Sequence, residues 1–297
     1  MSYKYAKYFD KGKLSQEVYH ERTKRNHFFI GGAAGQEEIR KLKIGVAGLG
    51  GMGSNIAETL VRMGVGHLRI TDPDTVDVSN IQRQVIANRE SVGQSKAEVL
   101  RSELLKIADD FELVTYLTGI TEETVEEFVD GCDIIVDEID VYPLNAHIML
   151  HKAARKRNIP VYSAYILGMG IRFYKFVGND FTFEDLIQSI PKNRLTNPPG
   201  KEVVEIFSTP HSSYMDQTFL SGFQDEIDCK RVPIFGPAAL VGHATVCIRL
   251  LLDVLLTKSP EKLGLLTKIE PTPVLPEYLA IDLADLTVKK GRKTKSP

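Results

Sequence analysis

The sequence predicts an α/β protein: a mainly parallel sheet with helices on both faces, extended by a C-terminal antiparallel part and an irregular crossover region. Three observations predict it. Short β-branched runs alternate with helical patterns over the first half of the chain. The stretch "IGVAGLGGMGSNIAETL" passes from an apolar run through clustered glycines into a helix. After "GIRFYKFVG" the alternation stops, and from about Asn179 to Arg231 turn formers dominate, as in "NRLTNPPGKE" and "STPHSSYMDQ".

Element by element, "KIGVAG" reads as the first strand and "GSNIAETLVRMG" as a helix ending at Gly64. "HLRITD" is the second strand, "SKAEVLRSELLKI" a helix, and "FELVTYL" the third strand. "TEETVEEFV" reads as a helix opened by a capping threonine, and "CDIIVDE" as the fourth strand. "PLNAHIMLHKAARKR" is helical with proline near its start, and "IPVYSAY" is the fifth strand. "GIRFYKFVG" adds an extended strand, and a buried helix from about Pro237 and a last strand, "EYLAIDL", close the fold. The expected divisions are 1–40 (arm and helix), 41–178 (core), 179–231 (irregular crossover), 232–288 (helix and strand completing the same domain) and 289–297 (basic tail).

With 297 residues, 43% of them hydrophobic, the chain can bury a substantial core. A net charge of −2 supplies no global field to recruit nucleic acid or membrane. The tail "VKKGRKTKSP" is the exception, and it reads as a frayed, solvated end rather than a nucleic-acid or lipid contact. Cys132, Cys229 and Cys247 form no Cys-x-x-Cys pair, so neither a disulfide framework nor a four-thiolate zinc site can be assembled. "MSYKYAKYFDKGK" lacks a secretory apolar region. "PAALVGHATVCIRLLLDVLL" is interrupted by His243, Arg249 and Asp253 and reads as a buried helix rather than a membrane span. The expectation is a soluble cytoplasmic protein with no membrane partner.

Gly48, Gly50 and Gly53 fit G-x-G-x-x-G between a strand and a helix, a Rossmann-like nucleotide loop. Gly48 allows the tight turn, Gly50 lets the backbone approach a phosphate, and Gly53 lets helix and strand pack closely. Asp72 ends the second strand, where it can hold ribose hydroxyls. A dinucleotide and a nucleoside triphosphate both suit this loop. The stretch after it, "DPDTVDVSNIQRQVIANRESVGQSK", favours the triphosphate, because Asn80, Arg83 and Lys96 suit its dense negative charge.

"GLGGMGS", "DPDTVDVSNIQRQ" and "VGQSK" together resemble the signature of the ubiquitin-activating-enzyme-like adenylyltransferases, whose bacterial members include the ThiF, MoeB and HesA types. "ERTKRN" resembles that family's N-terminal arginine segment, "VDEID" its D-x-x-D motif, and "GPAALVGHATVCIRLLL" its late glycine-containing helix. The resemblance spans roughly Glu21 to Ala164 and Arg231 to Leu256. It implies that Gly48, Gly50, Gly51 and Gly53 contact ATP, that Asp72 holds its ribose, and that Asn80, Arg83 and Lys96 surround the phosphates. It further implies that Asp140 binds Mg²⁺, and that Arg25 reaches the phosphates of a neighbouring subunit in a homodimer. The implied reaction is adenylation of a carboxylate, with the C-terminal glycine of a small ubiquitin-like or sulfur-carrier protein as preferred substrate.

Two departures qualify the resemblance. Val141 stands where the family often has Asn after D-x-x-D, a variation similar to the transfer-RNA threonylcarbamoyladenosine dehydratases. The Cys-x-x-Cys pairs of many members are absent, so no structural zinc is expected. "CKRVPIFGP" resembles the family's crossover-cysteine region, and Cys229 stays open between a thiol that captures the activated acyl group and a structural residue. Cys132 and Cys247 read as core residues. His147 and His151, four apart on a helix, read as structural or surface residues rather than a metal pair, and nothing assigns His211. An ATP-dependent enzyme acting on transfer RNA is the alternative reading. A nucleotide-binding scaffold without chemistry and an NAD-dependent oxidoreductase are two others, against which Arg83, Lys96 and Asp140 argue.

Overall fold

The computed structural model describes residues 7–11, 15–208, 215–258 and 269–295. In chain order the elements begin with β1 (Lys7–Lys11), α1 (Gln16–Thr23), α2 (Gly32–Arg40), β2 (Lys43–Ala47), α3 (Gly53–Arg62) and β3 (His67–Thr71). Next come α4 (Lys96–Ile107), β4 (Glu112–Tyr116), α5 (Val125–Val129), β5 (Ile134–Asp137), α6 (Leu144–Lys156) and β6 (Val161–Leu167). The chain continues with β7 (Gly170–Phe176), α7 (Phe183–Leu186), α8 (Gly200–Phe207) and α9 (Gln217–Asp228). It closes with α10 (Gly236–Lys258), β8 (Glu277–Asp282) and β9 (Thr287–Arg292).

The strands form one sheet in the order β1-β4-β3-β2-β5-β6-β7-β8-β9. The five central strands from β4 to β6 are parallel. They read as near-continuous apolar runs because helices cover both faces, leaving no polar side to alternate with. Two apolar clusters fill the two faces, one including Ile44, Val46, Ile56 and Leu250, the other Phe128, Ile135, Leu150 and Phe207. Chain order reverses at β2: the first crossover leads to β3 on one side, and β5 returns to the other. A crevice opens at the carboxyl ends of the strands at such a switch point.

The expected fold class is the observed one, and the differences lie at its margins. Residues 179–231, expected to be irregular, carry α7, α8 and α9. "NPPG" is a helix start: Pro199 takes the N-cap position, and Gly200 N–H donates to Asp228 Oδ1 (2.6 Å). A Cβ at Gly200 would stand 2.7 Å from Gln224 O, so the missing side chain lets α8 pack on α9. The basic tail is not frayed where it is described, because residues 287–292 form β9, antiparallel to β8. β1 is an edge strand absent from the expected arm, held through Asp10 by both ends of the Arg101 fork (2.6 and 2.5 Å). The helix in "TEETVEEFV" starts only at Val125, since Thr124 Oγ1 accepts from Thr121 N–H and donates to Gly119 O instead of capping.

By length and composition α10 could cross a membrane. Here its buried Asp253 accepts from Tyr162 Oη and Lys175 Nζ (2.7 Å each), which ties the helix to β6 and β7.

Candidate active site

A cleft of about 590 Å³ lies at this switch point, beyond the ends of β2, β3, β5 and β6. One half is polar, lined by the glycine loop, Asp72, Asn80, Arg83, Lys96 and Asp140. The other is largely apolar, lined by Tyr142, Ala146, Ile166, Val232 and Ile234.

The glycine loop joins β2 to α3. Gly48 has φ +87°, and a Cβ there would overlap the backbone of Glu138. A Cβ at Gly53 would overlap the Gly48 carbonyl, whereas one at Gly50 would meet only Gln84 Nε2, at 3.9 Å. Gly50 therefore borders open cleft. A Cβ at Gly51 would stand 2.9 Å from Arg83 Cγ, so the bare backbone lets the arginine stem lie along the loop. Asp72 is buried and accepts from Leu49 N (2.6 Å) and Asp74 N (2.8 Å). Burial raises its pKa, against the pull of Lys96 and these two N–H groups.

The turn after β3 places the cations. Asp77 and Asn80 close a capping box, in which Asn80 Oδ1 accepts from Asp77 N (3.0 Å). Arg83 Nη1 donates to Ser79 O (3.1 Å), and burial lowers the pKa of its guanidinium while Asp140 opposes that shift. Lys96 opens α4, is 8% exposed, and donates from Nζ to Asp74 Oδ2 (3.0 Å). Three buried atoms in this wall lack a protein partner: Thr71 Oγ1, Arg83 Nε and Gln84 Oε1. Buried polar groups are ordinarily paired, so their pattern fits a polar ligand.

The carboxylates of "VDEID" part company. Asp137 is fully buried and accepts at Oδ2 from both His147 Nδ1 (2.6 Å) and His151 Nε2 (2.9 Å). Burial alone would push its pKa up, but the two imidazoles outweigh it and hold the carboxylate well below its usual range. Asp140 is open to the cleft, yet the surrounding walls desolvate its carboxyl and raise its pKa. Val141 N–H (2.8 Å), Lys96, Arg83 and His147 pull it the other way. Among the described residues no group of three or more His, Cys, Asp and Glu could hold a metal ion. One carboxylate together with phosphate oxygens and water is how Mg²⁺ is commonly held beside a nucleotide, and Asp140 fits that need.

The structure thus gathers Gly48, Gly50, Gly51, Asp72, Asn80, Arg83, Lys96 and Asp140 around one cleft, with Gly53 packed beneath the loop. It does not bring Arg25 or Cys229 there. Arg25 is exposed on the turn after α1, outside the cleft of its own chain. Cys229 is an exposed thiol at the end of α9. Arg231, two residues on, is engaged by Glu226 (2.6 and 3.0 Å). Cys132 and Cys247 are buried, and His211 lies outside the described residues. The histidine pair is structural rather than surface: both rings are buried on Asp137. Sequence reasoning missed the partnership of Asp137 with His147 and His151, and the cleft-lining Glu138 and Gln84; the four-residue histidine spacing was the one signal.

The ThiF family pattern matches residues 23–288. A tRNA threonylcarbamoyladenosine dehydratase of Bacillus subtilis (strain 168) is 37% identical over 141 residues, 47% of this chain and 54% of that protein. The sulfur carrier protein ThiS adenylyltransferase of the same organism is 30% identical over 163 residues, 54% of this chain and 48% of that protein. The chain thus spans about half the length of these curated relatives. Among solved structures, E. coli MccB with ATP has a TM-score of 0.64 at 22% identity, covering 96% of this chain and 75% of that one. PaaA has a TM-score of 0.63 at 18% identity, covering 94% and 74%. These two likenesses concern the fold.

Proposed function

The chain belongs to the ThiF family, and from that premise we propose that it is an adenylyltransferase that activates a carboxylate with ATP. The observation that carries this reading is the gathering of Arg83, Lys96 and Asp140 on the glycine-loop side of one cleft, where both cations act on the Asp140 carboxyl. The loop backbone and the N-terminus of α3 cradle the phosphates. Asp72 accepts from the ribose. A carboxylate oxygen of the substrate attacks the α-phosphorus, the bond to the bridging oxygen breaks, and pyrophosphate leaves with its charge compensated by Arg83 and Lys96. Asp140 would hold Mg²⁺ there, and the ion would supply further neutralisation of phosphate charge. The protein's part is position and electrostatics.

The apolar half of the cleft suits an extended chain that enters beside Val232 and Ile234. We assign as substrate the C-terminal glycine of a ubiquitin-like or sulfur-carrier protein, in the cytoplasm, where ATP is supplied. The enzyme acts as a homodimer in which Arg25 serves the partner's cleft. Mixing Arg25→Ala with Lys96→Ala protein should then restore part of the activity that each lacks alone. The 37% identity to the dehydratase supports a second reading, in which the carboxylate belongs to a modified transfer RNA.

Calorimetry with Mg·ATP and with NAD⁺, followed by ATP–pyrophosphate exchange, tests the proposal. The expected result is tighter binding of ATP than of NAD⁺, and exchange that depends on a carrier protein ending in Gly-Gly. Lys96→Ala should lower exchange by a factor on the order of 10². Tighter NAD⁺ binding would overturn the reading, binding without exchange would favour a scaffold, and exchange with transfer RNA alone would favour the second reading.

A further inference from the structure

We propose that His147 is a positioning residue that fixes Asp140 in the cleft by gripping its main-chain carbonyl. The inference rests on the reading above that Asp140 holds the metal beside ATP.

His147 Nε2 stands 3.0 Å from Asp140 O, and Nδ1 stands 2.6 Å from Asp137 Oδ2. A carbonyl oxygen and a carboxylate can only accept, so both ring nitrogens donate. Asp137 completes the circuit, because its Oδ1 accepts from Ile139 N (3.2 Å). The loop from Asp137 to Asp140 is therefore tied at both ends, one end through the imidazole. The ring cannot swing away: it is fully buried and stacks on Phe183, with centroids 4.9 Å apart and planes 10° from parallel. His151 shares the Asp137 oxygen but makes no contact with Asp140 among the described hydrogen bonds, so the two histidines are not interchangeable.

A group that orients a metal-holding carboxylate typically changes metal affinity 10- to 100-fold when lost. The test measures binding of the α,β-methylene analogue of ATP to the full chain, with and without Mg²⁺. The variants are His147→Gln, Asp140→Ala and the double substitution, with folding followed by circular dichroism. Wild type should gain affinity on adding Mg²⁺. His147→Gln should lose about tenfold or more of that gain while metal-free affinity stays within about twofold. In the Asp140→Ala background the same change should remove nothing further. An undiminished gain, an equal loss without metal, or an added loss in the double variant would overturn the proposal. Failure of wild type to bind the analogue would instead remove the adenylation reading, and this inference with it. If the glutamine variant does not fold, ¹⁵N-histidine NMR of the wild type decides. The His147 ring signals should move when Mg²⁺ joins the bound analogue, they should stay fixed in Asp140→Ala, and any other pattern overturns the proposal.

Discussion

Gly50 and Gly53 lie in one loop, yet alanine at each should fail in opposite ways. At Gly53 the new methyl would overlap the Gly48 carbonyl oxygen, with the carbonyl carbon at 2.9 Å and Glu138 Cβ at 3.3 Å. None of these neighbours is the free end of a flexible side chain, so α3 must move off β2. Overpacking of this kind costs about 1–3 kcal/mol. At roughly 2–4 °C per kcal/mol for a chain of this size class, Tm should fall by several degrees. At Gly50 the nearest atom is 3.9 Å away and the backbone is not in the left-handed region, so the fold accepts alanine. Stability should be unchanged or raised by about 0.4–1 kcal/mol, because the unfolded chain loses freedom. On the proposed function, the methyl would occupy space where a phosphate is to meet the loop N–H groups. Hydrogen bonds to charged groups are worth about 1.5–3 kcal/mol each, so ATP affinity should drop on the order of 10- to 100-fold. Thermal melts and calorimetry on the two purified variants read both quantities. A Gly50→Ala protein that binds ATP like wild type would refute the cradle. A Gly53→Ala protein that melts like wild type would refute the packing argument.

Asp137→Asn should destabilise the protein by about 3–5 kcal/mol in urea unfolding, because it strips the charge from a buried pair. Asp137 is held below its ordinary pKa, so its contribution is present at neutral pH and lost as pH falls through the folded value. The two proteins should therefore converge in acid, and a constant gap down to pH 2 would contradict the assignment. Lys293, half-buried at the carbonyl end of α8, has its pKa pushed down from 10.5 to about 7 by desolvation and by Arg172 nearby. Between those values the unfolded chain binds the extra proton, so stability should rise with pH from about 7 to about 10. Lys293→Met should flatten that slope, and an unaltered slope would show that the amine is not the source. Cys229→Ala should leave ATP–pyrophosphate exchange within about twofold, since adenylation precedes any thiol step. It should also abolish any thiol-sensitive adduct with the substrate, and loss of exchange in a folded variant would place Cys229 in the first step.

The central strands were legible because two covered faces leave a plain sequence mark: "KIGVAG" and "CDIIVDE" can hardly be anything but buried strands. β1 and β9 carry no such mark. The residues of β9 are mostly exposed, and what makes them a strand is pairing with β8 and Gly291, whose missing side chain admits the Tyr278 ring. The helices between residues 179 and 231 hid behind Pro199 and Gly200, which are turn formers in a chain and helix starters in this packing. In "ERTKRN" the resemblance gave a role to Arg25, and nothing in the sequence gave one to Arg22. Arg22 forks onto Asp110 (2.6 and 2.5 Å) and caps α3 at Val61 O (2.9 Å), leaving Arg25 at the surface. That Asp72, Arg83 and Lys96 share one cleft with the glycine loop was readable, because they lie close to it in sequence as well as in space.

The D-x-x-D motif shows why residue type alone cannot assign a role. Asp137 and Asp140 are chemically identical and three positions apart. Asp137 is the last residue of β5, where the strand still faces the packed layer under α6, and burial there would neutralise an unpaired carboxylate. Two imidazoles from one face of α6, spaced a helical turn apart, reverse that outcome and keep it ionised. Three residues later the chain has left the sheet, and Asp140 meets the cleft with one oxygen turned to its own loop at Val141 N. The first carboxylate spends its charge on holding the loop; the second keeps a free oxygen for whatever the cleft binds. The helical spacing of His147 and His151 is thus the sequence trace of a scaffold beneath the site, and its meaning appears only once Asp137 is known to lie between them.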